Sequence, residues 1–302
     1  MIEPGILDIL RRSGPITGSQ FVELARAEVL PLWRLCRRSP HIRRVLVGRR
    51  FLRLDRAVEG YARLSPSIRR EFLTYTVLGL EEQEDALTRI ADEQRRAISG
   101  ISHEKTNLAR EIAVSVFSEV GDGEALAERV CFIIAGDITY DMAHRVPRPE
   151  KSTGEMVRGS DLDIIVVAED DLPADAIKAL DNTIFNKKHY LLVHPEYREE
   201  IDYIVKDLRR IREQMAFDTF EAMVACKIMD EGQLLYGSRS VFQTVKSLLA
   251  KHDIPARLKR LESQAVAERE RAERSLLAPE EGISAEQYNH LFFTQEEGEE
   301  IY

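Results

Sequence analysis

Asp161 and Asp163 flank Leu162 at the head of an apolar run, and no other stretch constrains the chain as strongly. Ile164, Ile165, Val166 and Val167 have the β-branched character of a buried strand. Strand residues at i and i+2 project from one face, so both carboxylates point the same way. Two like charges at the edge of a core repel each other and lose water. A divalent cation removes that penalty. The pair therefore predicts a magnesium or manganese site serving phosphoryl or nucleotidyl transfer.

The 302 residues allow two or three domains with proper cores. No stretch of about 18 apolar residues suggests a membrane span. The N-terminus, MIEPGI, lacks the basic and apolar regions of a signal peptide. Cys36, Cys131 and Cys226 are scattered without ligand spacing and read as reduced core thiols. A cytoplasmic protein is the expectation.

The formal charge of −9 conceals an asymmetry. Residues 1–80 hold 15 arginines, no lysine and 7 acids, leaving +8, so the remainder carries −17. A basic module on an acidic body suggests a polyanion partner for the first part. The alternative is that these arginines solvate helices or pair with the acidic body.

Three short helices are expected over residues 4–13, from Thr17 or Ser19 onward, and over 29–38. Residues 42–54 then alternate apolar residues with arginine about Gly48, as a β-hairpin would. That order resembles a winged helix-turn-helix module. The resemblance implies nucleic-acid contacts from Arg34, Arg37 and Arg38 on the third helix. On the wing it implies Arg43, Arg44, Arg49, Arg50 and Arg53, whose planar forks suit phosphate. Such modules also serve as protein-docking units.

Residues 57–120 read as a helical connector, and Gly121 to Gly123 as a break before the next unit. There a strand from Val130 ends at Gly136, a loop-rich insertion covers 137–160, and the Asp161 strand follows. A helix is expected from Pro173, then a third strand near 200–205. Residues 256–275 read as a solvated helix, and the segment after Thr294 as a frayed acidic tail or a pairing partner for basic surface. The fold class is α+β, divided as 1–56, 57–120, 121–250 and 251–302.

A strand ending in glycine, an Asp-x-Asp dyad opening the next strand, and a lone Asp on a later apolar strand resemble the nucleotidyltransferase superfamily. This is the fold of DNA polymerase β. The matching residues are Ala135 and Gly136, Ser160 to Ile164, and Asp202 within Ile201 to Ile204. Residues 228–237, IMDEGQLLYG, resemble the close that many small members share. The likeness spans roughly residues 110–250. It implies a mixed sheet with flanking helices, a catalytic and metal-binding triad of Asp161, Asp163 and Asp202, and an NTP substrate with Mg2+ or Mn2+ as cofactor. It also implies nucleotide contacts from Gly136, Asp137, Ser160 and Lys227.

Two features depart from the family pattern. Asp137 stands where serine or glycine usually follows the glycine, and 24 residues separate Gly136 from Asp161. Within that insertion Arg145, Arg148, Lys151 or Arg158 can reach the phosphates in place of the missing serine. His144, His189, His194 and Tyr140 show no ligand spacing. The expected activity is transfer of a nucleoside monophosphate to an acceptor hydroxyl, on RNA such as tRNA. The alternatives are a signalling-oligonucleotide synthase and a DNA-binding regulator without turnover.

Overall fold

The element order follows from where apolar periodicity changes between helical and strand spacing. The computed structural model describes residues 3–278 and 290–294. The first unit holds α1 (Glu3–Ser13), β1 (Ile16–Thr17), α2 (Gly18–Ala25), α3 (Val29–Arg38) and β2 (Ile42–Leu46). It continues through β3 (Phe51–Leu54), β4 (Ala62–Ser65), α4 (Ile68–Thr74) and β5 (Thr76–Leu80). The long α5 (Glu84–Glu119) and short α6 (Gly123–Arg129) lead into β6 (Val130–Ile134). Next come β7 (Pro147–Pro149), β8 (Met156–Arg158), β9 (Leu162–Ala168), α7 (Ala174–Val193) and β10 (Ile201–Asp207). The chain then forms α8 (Leu208–Gln214), α9 (Phe220–Glu231), β11 (Gln233–Gly237), α10 (Arg239–Lys251) and α11 (Ile254–Leu277). The acidic segment expected after Thr294 lies outside the described residues.

The α+β class holds, but the expected hairpin about Gly48 does not form. β2 pairs antiparallel with β5, and β5 with β1, giving the order β1-β5-β2. β3 pairs instead with β4. Alternation reveals a strand but not its partner, and here burial decides. Val47 and Phe51 enter a cluster with Tyr75, Val77 and Met142. Gly48 marks a close approach rather than a turn, since a Cβ there would lie 2.6 Å from Met142 Sδ. The connector is likewise not wholly helical. Its run Thr76 to Leu80 is buried throughout and forms a central strand.

The second sheet has the order β10-β9-β6-β11, with β9 and β10 parallel and the other pairs antiparallel. Alternation assigns its two faces. Phe132, Ile134, Leu162, Ile164 and Val166 pack with α5, α6 and α7. Cys131, Ile133, Ile165 and Val167 pack with α8 to α11 and with Leu52, Ala62 and Leu64 of the β3–β4 ribbon. A ribbon from the first unit thus covers one face of the second sheet.

Helix α11 is not merely solvated. It buries Ile254, Leu258, Ala265, Arg269 and Leu276 and packs on β3, β4 and α3. The three cysteines are free and buried, as expected. No described helix is long and apolar enough to cross a membrane.

Candidate metal and nucleotide site

The parallel pairing of β9 with β10 sets Asp202 directly opposite Asp163. Side chains at paired positions share a face, and Asp161 joins them two residues earlier. One carboxylate oxygen from each lies within 4.8 Å of the others. Asp161 and Asp163 are part-buried and Asp202 is exposed. The Asp163 carboxyl is pushed well above the usual carboxylate range, first by burial and then by Asp161, Asp137, Asp202 and Glu231. Such a cluster is unfavourable as bare anions. An all-oxygen, all-carboxylate donor set suits a hard divalent cation such as Mg2+ or Mn2+.

β6 ends in a turn that only glycine permits. Gly136 has φ +77°, and a Cβ there would lie 2.1 Å from Asp163 Oδ2. The Gly136 N–H donates to Glu231 Oε1 at 3.1 Å, and the Tyr140 hydroxyl donates to Glu231 Oε2 at 2.6 Å. Lys227, one turn earlier on α9, pairs with Glu231 at 2.5 Å. Glu231 therefore anchors the glycine turn to α9, a role that the sequence motif alone did not disclose.

Asp137 lines the same cleft as the triad, and its carboxylate is held by a hydrogen bond. Its Oδ2 accepts from the Ser160 hydroxyl at 2.5 Å, while Ser160 Oγ accepts the His144 N–H at 3.0 Å. Burial raises the Asp137 carboxyl to about 6, against the Ser160 hydrogen bond, which lowers it. Ser160 thus steadies the loop ahead of Asp161. His144 is fully enclosed and pushed well below its usual range by burial and by the charges of Arg70, Lys105 and Arg148. It is a core histidine.

Lys105, on α5, gave no sequence signal that separated it from the other charges of a long polar helix. It is 3% exposed. Its ammonium donates to Ser160 O at 2.7 Å, to Arg158 O at 3.0 Å and to the Glu199 carboxylate. These contacts tie the segment ahead of Asp161 to the start of β10. Gly159, at φ +70°, completes that turn against His144 O.

The 137–160 insertion contains the β7–β8 ribbon. Arg148 points inward, donating to Gly159 O at 3.0 Å and pairing with Glu200 at 2.8 Å and more loosely with Asp161 at 3.7 Å. Arg148 and Lys151 line the cleft beside the triad. Arg145 instead pairs with Glu104, and Arg158 donates to Glu196 O at 2.8 Å.

That cleft encloses about 360 Å³ and is also lined by Phe51, Arg53 and Arg70 of the first unit. Of the arginines expected to meet nucleic acid, Arg53 faces this cleft. Arg34 donates to Leu276 O at 2.6 Å and Arg38 to Leu277 O. Arg37 pairs with Glu273 at 3.0 Å. Arg50 pairs with Glu71 at 2.6 Å and Glu273 at 2.8 Å. Arg49 lies over the Tyr140 ring at 4.6 Å. Arg43 pairs with Glu81. These arginines make contacts within the chain, and Arg37, Arg38, Arg43 and Arg49 are also exposed. No family model matches the chain, and no curated protein matches it in sequence.

Proposed function

We propose that the chain is a metal-dependent nucleotidyltransferase that moves a nucleoside monophosphate from an NTP to an acceptor hydroxyl. The convergence of Asp161, Asp163 and Asp202 beside an obligatory glycine turn carries the reading. Asp161 and Asp163 would hold Mg2+ or Mn2+, with Asp202 completing the set from the neighbouring strand. When bound, the ions neutralise the polyphosphate and make the acceptor hydroxyl more acidic.

The remaining work falls to the chain's own groups. Asp202, exposed at the sheet edge and 3.4 Å from Lys188, would accept the proton of the acceptor hydroxyl. The acceptor oxygen then bonds to the α-phosphorus as the bond to the β-phosphate bridge breaks, and pyrophosphate leaves. Glu231 and Gly136 hold the turn that borders the phosphates, and Lys227 lies in the cleft wall beside them.

The order α1-β1-α2-α3-β2, with β5 returning beside β2, supports a winged-helix-like reading of the first unit. In such modules the third helix meets nucleic acid. Here α3 packs on α11, and its arginines bond there, so we assign α3 to intramolecular docking. A second reading, nucleotide binding without turnover, draws on the internal commitment of the Gly136 amide and the Ser160 hydroxyl.

Incubation with labelled NTPs, Mg2+ or Mn2+ and total cellular RNA separates the two. Label transfer, or joining of nucleotides to one another, is expected from the wild type and should vanish in Asp161→Asn and Asp163→Asn. Nucleotide binding with no NTP consumption, whatever the acceptor, would overturn the catalytic reading.

A further inference from the structure

We infer that the junction of the first unit with α11 holds a second ligand site, which takes a small phosphate monoester with an apolar body. Its cavity encloses about 170 Å³ and shares no lining residue with the cleft of the triad. The inference stands independently of the nucleotidyltransferase reading.

Strand and helix periodicity build the walls. Arg44 and Leu46 lie two residues apart on β2 and so share a face, with Thr76 of β5 paired opposite Leu46. Trp33, Cys36 and Arg37 fall on one side of α3, where helical spacing brings them together. Glu71 and Phe72 come from α4, Arg50 from the segment before β3, and Glu273 from α11. Of these, Trp33, Cys36, Phe72 and Thr76 are buried, whereas Arg37, Arg44 and Leu46 are exposed. A mostly apolar floor therefore lies beneath a cationic rim. Burial pushes the Cys36 thiol up to about 12, so the floor carries no thiolate.

Charge selects the ligand. Arg37 pairs with Glu273 at 3.0 Å, and Arg50 pairs with Glu71 at 2.6 Å and with Glu273 at 2.8 Å. Arg269 shares both carboxylates. Three guanidiniums thus meet two carboxylates before Arg44 is counted, and Arg44 raises the excess to two positive charges. Among the described residues Arg44 forms no hydrogen bond or ion pair. Its guanidinium is held below the ordinary range first by partial burial and then by Arg37, and an anion beside it would offset that repulsion. A phosphate monoester carries about −1.5 to −2 near pH 7, and arginine forks match its oxygens. The cavity is well below the roughly 300–1,000 Å³ of drug-sized pockets, which limits the body to one ring or a short chain.

Trp33 is the sole tryptophan and lines the cavity, so its emission reports the site directly. Phenyl phosphate is titrated against the full chain with EDTA present, which keeps cations from the triad. A saturable change in Trp33 emission is expected, with benzoate weaker and with phenol and inorganic phosphate each about tenfold weaker or worse. Arg44→Gln should weaken phenyl phosphate about tenfold, Arg44→Lys should recover part of that loss, and Arg44→Glu should abolish binding. Arg43→Gln, on the opposite face of the same strand and paired with Glu81, should stay within about twofold of wild type. The Arg44 variants should unfold at the wild-type temperature, since no ion pair is lost. A folded wild type that shows no saturable change overturns the inference, and so does unchanged affinity in Arg44→Gln. Phenol binding as tightly as phenyl phosphate overturns the role of charge, and benzoate binding more tightly overturns the assigned class.

Discussion

Replacing Lys105 by Met tests whether a buried ammonium on α5 holds the triad in register. The side chain sits at 3% exposure with three acceptors, Ser160 O, Arg158 O and the Glu199 carboxylate. Methionine keeps much of the length and apolar stem but none of the donors. Glu199, itself 9% exposed, would then be a buried charge without its main partner. Breaking such a pair costs about 3–5 kcal/mol, and each orphaned carbonyl adds roughly 1–3 kcal/mol if no water replaces the ammonium. The Glu199 carboxyl is already raised by burial, so protonation will relieve part of the strain. A net loss of about 3–5 kcal/mol is therefore expected in urea unfolding. Lys105→Met with Glu199→Gln should recover about 2 kcal/mol, because no buried charge remains. Added Mn2+ should stabilise the single variant less than the wild type, since the segment ahead of Asp161 is no longer pinned. A single-variant cost below about 1 kcal/mol, or a double variant no better than the single, would refute the reasoning.

Three further outcomes follow from the same geometry. Gly136→Ala forces a side chain into a backbone region open essentially to glycine, costing about 1–3 kcal/mol, and displaces the Asp163 carboxylate. Thermal unfolding with and without Mn2+ should show the metal's stabilisation reduced or lost, and full retention would count against the site. Glu273→Ala removes a shared partner of Arg37, Arg50 and Arg269, with an expected cost of about 3 kcal/mol. Fluorescence of Trp33, the sole tryptophan, should report the loosening of α11, because its helix α3 packs directly against α11. Asp137→Asn probes pH: a carboxyl raised from 3.8 to about 6 in the fold stabilises below pH 4 and loses that contribution as pH climbs through about 6. Relative to wild type, the asparagine variant should therefore gain stability across that window in urea midpoints, and a constant difference would contradict the burial of Asp137.

The strands of the second sheet were legible because their signals are local. Val130 to Ile134 is apolar at every position, and Asp161 to Val167 combines a charged head with a buried tail. The triad was legible for the same reason, since parallel pairing of two short strands leaves few registers that bury both apolar runs. What escaped was long-range. The sequence about Gly48 alternates as a hairpin does, yet nothing within it states that β2 will pair with a strand thirty residues later. Lys105 resembles any other lysine of a polar helix until Glu199 and two carbonyls, each distant in sequence, close around it.

The arginine asymmetry shows why net charge is a weak guide to partners. A block of +8 beside a body of −17 is as well suited to internal pairing as to external binding. Which occurs depends on whether acidic side chains fall opposite the arginines after folding. Glu71 and Glu273 do so for Arg50 and Arg269, and Glu273 does so for Arg37. That network is partly buried, and ions withdrawn from water are held by multiple hydrogen bonds rather than by charge alone. It fixes α11 against the first unit, and α11 in turn packs on the β3–β4 ribbon, which lines part of the cleft that holds the triad. Arg37 and Arg50, two of the arginines expected at a nucleic-acid surface, thus also join α11 to the first unit, and the charge asymmetry is met in part by pairing within the chain.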